Sequence, residues 1–218
     1  MSDDRAGRAA GPFFPPSLVA MEYASLIACL GNPGDEYAST RHNFGFMLAD
    51  AMLEQAAERK SMRLSAVAAG HDCQAWSIHF AGRPRLLVKP LTYMNLSGVV
   101  VARLSRTHHI PSADVLTVHD DMDLALGRVK LKRGGSAAGH NGVLSVQNEL
   151  GASDFLRLRL GVGRPPEGEA PRVYVLEPFG SQELETVRIV VQRCLKGLQT
   201  FYRRGMSAAV QELHASPA

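Results

Sequence analysis

The residue whose type and position best suit chemistry is His42. A second polar residue, Asn43, follows it, and it stands where a helix should begin, just after a turn that closes an apolar strand. A neutral imidazole, with an unperturbed pKa of about 6.5, accepts a proton at pH 7, and a carboxylate on its other nitrogen would fix the tautomer. Asp120 is placed to supply that carboxylate, because it ends the apolar run Asp114 to His119 and so falls at a strand's carboxyl edge. A helix N-terminus would lower the His42 pKa and an acid would raise it, so the sequence leaves the net shift unsigned. The plainer reading is a surface or capping histidine. His71, His79, His108, His109 and His214 have no recognisable partners and read as surface or structural groups.

Other polar residues that make poor core also fall at strand ends: Asn32, Asn95 and the pair His140-Asn141. In open α/β sheets such ends border the ligand crevice, which predicts one joint site. Asn32 before Pro33, Asn95 before Leu96 and Asn141 before Gly142 each have a bland role as a turn residue or N-cap. Taken together, they offer uncharged donors and acceptors suited to a peptide backbone or a developing oxyanion. The run Asp120, Asp121 and Asp123 admits a rival chemistry, Mg²⁺ bound by carboxylate oxygens. Neither a GxxxxGK[ST] loop nor an HxxxH or HExxH pair accompanies those acids, so no metal and no cofactor is expected.

These residues need elements to hold them. Ala24 to Leu30 reads as a buried strand closed by Gly31-Asn32-Pro33-Gly34, and the spacing predicts a helix from about His42 to Arg59 with Thr40 as its N-cap. Gln74 to Phe80 and Arg85 to Lys89 read as strands joined by Ala81-Gly82-Arg83-Pro84, and Leu96 to Arg106 as a helix. Asp114 to His119, Arg128 to Lys132 and Phe155 to Val162 read as strands, with a helix at about Asn141 to Leu150. Leu184, Val187, Val190, Val191, Cys194, Leu195, Leu198 and Phe201 form one helical stripe, with Ser181 expected to cap its start and Gly205 its end. Met206 to Leu213 predicts a short terminal helix. The alternation predicts a single α/β domain over 23–218, a mixed twisted sheet covered by helices on both faces.

Arg128, Lys130 and Lys132 alternate with apolar residues, as do Arg157 and Arg159, so each set lies on one strand face. Such a row is ordinarily a solvated face; beside a crevice it would hold a phosphate. The loop Gly134 to Gly139 reads either as a mobile loop or as a gate or backbone anion contact.

Across 218 residues, 45% are hydrophobic and 21% charged, with a net charge of +3, which is ordinary globular composition. Cys29, Cys73 and Cys194 are too scattered for a disulfide framework or a metal motif and are expected to be buried thiols in a reducing compartment. No apolar run approaches the roughly 20 residues of a membrane span, and no signal-peptide order is seen, so a cytoplasmic protein is expected. Residues 1 to 22 combine small residues and prolines without a period and read as a flexible extension, with Met21 as an alternative start.

The string Leu30-Gly31-Asn32-Pro33-Gly34, with Glu36-Tyr37, Thr40-Arg41-His42-Asn43 and Gly45, closely resembles the opening signature of bacterial-type peptidyl-tRNA hydrolases. Lys89-Pro90 with Thr92 to Gly98, His119 to Leu124, Gly139 to Gly142, and Arg157-Leu158-Arg159 leading to Gly161 and Gly163 resemble that family's later motifs in order. The resemblance implies cleavage of the ester joining a peptide to the 3′ ribose of tRNA, freeing tRNA after premature drop-off from translation. His42 would activate water and Asp120 would orient His42. Asn32 and Asn95 would line the catalytic centre, Asn141 would position substrate or water, and Tyr37 and Met94 would shape the pocket. Lys132 and Arg159 match positions that grip the tRNA 5′-phosphate. The implied partner is peptidyl-tRNA, an RNA, with no DNA or membrane partner, and a monomer is expected. Ala138 stands where the family usually has glycine, and Cys29 where a glycine or small residue is common.

Overall fold

The computed structural model describes residues 22–214. The extension expected over 1–22 therefore lies, apart from Glu22, outside the described residues. The chain runs β1 (Leu26–Cys29), α1 (Phe44–Glu58), β2 (Ser65–Val67), β3 (Cys73–Phe80), β4 (Arg83–Pro90), α2 (Ser97–Thr107), β5 (Val115–Asp121), β6 (Val129–Arg133), α3 (Asn141–Leu150), β7 (Leu156–Gly161), α4 (Pro171–Leu176), α5 (Leu184–Arg204) and α6 (Met206–His214), with short 3-10 turns between some of them. The strands form a 7-stranded sheet in the order β2-β3-β4-β1-β5-β7-β6. The central strands β4, β1, β5 and β7 are parallel, whereas β3 on one side and β6 on the other pair antiparallel with them, and edge strand β2 pairs antiparallel with β3.

The central strands are apolar along nearly their whole length because both of their faces are covered, as parallel strands require. Every residue of β1 and β5 is buried. Ile27, Cys29, Leu116, Val118 and Leu158 join a core with α1, α5 and α6, while Leu26, Ala28, Leu86 and Val88 join a second core with α2 and α3. Asp120 follows Leu116 and Val118 at period two, so it lies on the α1 side of the sheet at the strand's carboxyl end. Among the described residues no helix is long and apolar enough to cross a membrane. Cys29, Cys73 and Cys194 are free and buried, and burial pushes the Cys194 thiol up to about 12.

Two close approaches bring the site-bearing segments together. A Cβ on Gly45 would meet the backbone oxygens of Leu30 and Val118, so glycine lets the start of α1 press onto β1 and β5. A Cβ on Gly98 would meet the Ser145 backbone, so glycine likewise lets α2 cross against α3; there the Gly98 N–H donates to Ser145 Oγ at 2.9 Å.

Several expected caps are different residues. Thr40 precedes a 3-10 turn, Arg41–Asn43, and its hydroxyl donates back to the Tyr37 carbonyl instead of capping α1. Glu183, not Ser181, stands at the start of α5, and Leu184 is 52% exposed and lies off its buried stripe. Asn95 sits inside the 3-10 turn Met94–Leu96, and Leu96 precedes α2. His140 caps α3, its ring accepting from the Val143 N–H at 3.2 Å, and Asn141 is the first helical residue. The β3–β4 turn is only Ala81-Gly82, both at positive φ, and Pro84 pairs with His79 inside the ladder.

Candidate active site

The carboxyl ends of β1 and β5 open into a cleft of about 800 Å³ whose walls also come from the Met94 turn, the 137–141 segment and α4. On its floor, His42 Nδ1 lies 2.9 Å from Asp120 Oδ1, and His140 Nε2 lies 2.9 Å from the same oxygen. The His140 tautomer is set by its neighbours, because its Nδ1 accepts from Val143 and its Nε2 must therefore carry the proton donated to Asp120. With His42 Nδ1–H donating to Asp120, Nε2 of His42 is left with a lone pair, as a general base requires.

Burial of the His42 ring pushes its pKa down, but the charge and hydrogen bond of Asp120 outweigh this and hold it above the ordinary imidazole value. Burial alone would raise the Asp120 carboxyl; the His42 and His140 rings overcome that and hold it well below the usual carboxylate range. His119, buried on the other side of β5, is pushed well down by burial and by His140 and stays neutral. Its Nδ1 lies 2.7 Å from the Asp120 carbonyl, and its ring packs edge-on against His140 at 4.8 Å.

The amides divide into anchors and free groups. Asn43 is buried and clamps the Asn32 backbone, accepting from its N–H at 2.8 Å and donating to its carbonyl at 2.9 Å. Asn32 Oδ1 accepts the Met94 N–H at 2.8 Å, so the Asn32 amide nitrogen is the end left to donate into the cleft. Asn95 and Asn141 line the same cleft with exposed side chains that have no protein partner among the described residues, and Tyr37 and Met94 complete the wall.

The acids expected as a rival metal cluster are held apart. Asp121 accepts Arg159 Nε at 2.6 Å and the Asp123 N–H at 3.0 Å, while Asp123 binds Arg164 at 2.5 Å. The grouping with metal-like spacing is instead His42, Asp120 and His140, whose ligand atoms lie within 4.8 Å of one another.

Strand pairing sets Lys130 beside Arg159 and Lys132 beside Arg157, giving a cationic sheet face next to the cleft. Arg157 departs from the solvated-row expectation: it is 2% exposed and donates to the Gly135 and Ser136 carbonyls, fixing the root of the 134–139 loop. Partial burial together with Arg159, Arg157 and Lys130 holds Lys132 below the ordinary amine value. Arg159 spends Nε on Asp121, and its two terminal nitrogens have no protein acceptor among the described residues.

The sequence reading gave no role to Arg41, which fixes the His42 turn from behind. Its guanidinium stacks on Tyr174 at 4.2 Å, donates to the Pro178 carbonyl at 3.2 Å and meets the Glu183 carboxylate at 3.0 Å. The backbone joins in, with Thr40 bridged to Pro178 and the Arg41 N–H on the Glu177 carbonyl at 3.1 Å. Nothing local in the Thr40-Arg41-His42 string signals a partner more than 130 residues away. His140 carries a visible signal, a polar pair with Asn141 directly before a helix, which places it at the site without indicating that it shares Asp120 with His42.

Fold and site define an α/β protein with an acid-oriented imidazole facing neutral amides at the carboxyl edge of its parallel strands. A sequence model of the family "Peptidyl-tRNA hydrolase" matches residues 26–218, and the chain belongs to that family. It is 46% identical over 195 residues to the peptidyl-tRNA hydrolase of Maridesulfovibrio salexigens, covering 89% of this chain and 95% of that one. It is 41% identical over 190 residues to that of Nocardia farcinica, covering 87% and 96%. The crystal structure of peptidyl-tRNA hydrolase from Acinetobacter baumannii superposes with a TM-score of 0.80 at 30% identity, covering 89% of this chain and 96% of that one.

Proposed function

We propose that this protein hydrolyses the ester between the peptide and the 3′ ribose of tRNA in peptidyl-tRNA, returning tRNA to use after translation stops prematurely. The observation that carries this reading is the 2.9 Å contact between His42 Nδ1 and Asp120, which leaves Nε2 basic above a cleft of free amides. Nε2 takes a proton from water as the water oxygen bonds to the ester carbonyl carbon. The carbonyl electron pair moves onto oxygen, where the amide N–H groups of Asn32, Asn95 or Asn141 receive the charge. Collapse of that intermediate breaks the bond to the ribose 3′ oxygen, which takes the proton from the imidazolium. The products are a peptide acid and a tRNA with a free 3′ hydroxyl. An ester is activated enough for a positioned base and amide donors to suffice.

Tyr37 and Met94 shape the wall that receives the peptide, and Lys132 and Arg159 hold the 5′-phosphate of the tRNA acceptor stem. The 2′ hydroxyl and an accessible single-stranded 3′ end select RNA. We place the protein in the cytoplasm as a monomer. The metal-like spacing of His42, Asp120 and His140 favours one second reading, a metal-dependent hydrolase.

The test is peptide release from a defined peptidyl-tRNA by wild type and His42→Ala, each with and without EDTA. A folded His42→Ala protein slowed by several orders of magnitude, with EDTA without effect on wild type, is the expected result. Near-native turnover by His42→Ala overturns the mechanism, and loss of activity with EDTA restored by a divalent cation establishes the second reading in its place.

A further inference from the structure

Among the described residues that line the cleft, Arg172 on α4 is the only arginine or lysine. It is exposed and has no acidic or carbonyl partner among the described residues. The acids of the same cleft are already matched: Asp120 receives two imidazoles, Asp121 holds Arg159 and Asp123 holds Arg164. The element that carries Arg172 is fixed, because Tyr174 donates to the Val162 carbonyl at 2.6 Å and stacks under Arg41, while Val175 is buried. A guanidinium carried by a fixed wall of the cleft, with no countercharge of its own, is a site for an anion of the ligand.

We infer that Arg172 binds a phosphodiester of the single-stranded 3′ end of the RNA, close to the scissile ester. The inference rests on the peptidyl-tRNA reading above and deepens it. The substrate's own chemistry selects the phosphodiester: the peptide carboxyl is esterified, so the part of the peptide common to all substrates carries no negative charge near the bond. The nearest anions whose position does not vary with peptide sequence are the phosphates linking the last nucleotides. Lys132 and Arg159 stand on the β6–β7 face beside the 134–139 loop, so Arg172 supplies positive charge on a separate wall. Lys132 and Arg159 would then hold the acceptor stem and Arg172 the strand that leads from it into the cleft.

The experiment compares wild type, Arg172→Ala and Arg172→Lys on three esters of one neutral peptide: full-length tRNA, a CCA trinucleotide and adenosine alone. For Arg172→Ala the KM on the trinucleotide ester should rise about three- to tenfold with kcat retained, a contact to charge discounted for solvent exposure. That rise should exceed the change on the adenosine ester, which has no phosphodiester. The slope of log(kcat/KM) against log[salt] on the trinucleotide should flatten by about 0.7, one phosphate contact to a single strand. Arg172→Lys should recover most of the loss. Equal rises on the adenosine and trinucleotide esters overturn the inference, as does a loss that appears only with an acidic peptide, or relief of inhibition by free peptide with no change in KM. Wild type that cleaves none of the three, as poorly as His42→Ala, instead overturns the hydrolase reading itself.

Discussion

His42 and His140 share a single acceptor: each places a ring nitrogen 2.9 Å from Asp120 Oδ1, with the two ring centroids 4.9 Å apart. One histidine enters from the turn before α1 and the other from the cap of α3, so the carboxylate is reached from helices on opposite faces of the sheet. A neutral donor on a carboxylate weakens it as an acceptor for its other partner, and His140 therefore restrains the basicity of His42. In His140→Ala the acidic limb of the kcat pH profile should move to higher pH. A limb that stays in place or falls would show that the two contacts are independent.

Asp120→Asn should lower kcat by about 10²- to 10⁴-fold, since an amide neither enforces the Nδ1–H tautomer nor stabilises the imidazolium. The raised His42 pKa means that wild-type activity is lost as pH falls through a value above 6.5. Without the carboxylate, burial dominates, and the limb in Asp120→Asn should lie lower. Steady-state kinetics across pH reads both effects, and a limb unmoved by the substitution would assign it to another group.

The same pair contributes to stability in the opposite direction. A histidine whose folded pKa is raised stabilises the fold below its unfolded value, about 6.5, and that contribution fades as pH climbs through the folded pKa. The urea midpoint of wild type should therefore exceed that of His42→Gln by more at about pH 5.5 than at about pH 8.5. The conditions in which the pair is most stabilising are those in which His42 is protonated and idle. An identical difference at both pH values would contradict the raised pKa.

Lys132→Ala should raise KM for peptidyl-tRNA and flatten its salt dependence, with little change in melting temperature, because the lysine has no acidic partner among the described residues. Arg159→Ala should raise KM and also lower the melting temperature, because Asp121 is 8% exposed and would lose the cation it is paired with. Both losses should be smaller on an adenosine ester. Equal losses on that substrate would move the phosphate contact elsewhere.

Gly98→Ala should destabilise the fold by about 1–3 kcal/mol, since its methyl group has to displace the Ser145 backbone where α2 crosses α3. Met94 and Asn95 immediately precede α2, so kcat should fall along with stability. Denaturant unfolding and peptidyl-tRNA cleavage measured on one preparation check both, and a stable, fully active variant would show that the crossing adapts.

What the sequence disclosed and what it hid follow from the range of the forces involved. The long central strands and the α5 stripe are legible because burial on two faces, or on one helical face, imposes a pattern over many consecutive residues. β2 is three residues, largely exposed, and α4 is six residues opened by Pro171, so neither is long enough to show a period. The caps differ from expectation where a side chain has a better partner nearby, as when Thr40 donates to Tyr37 or the His140 ring takes the place expected of Asn141. His42, Asp120 and the asparagines could be found because their motifs sit at strand ends. The buried state of Arg157 could not, because period two reports a shared face and says nothing of the loop that folds over it.

Arg41 ties the turn bearing His42 to Tyr174, Pro178 and Glu183, contacts that span 133 to 142 residues of chain. These are the contacts that the second half of the chain makes with the His42 turn from behind, so a chain that ends before α4 lacks that support even though it already contains His42 and Asp120. A partial copy of this chain, while still a peptide esterified to tRNA, therefore carries the catalytic pair before it carries the buttress behind it.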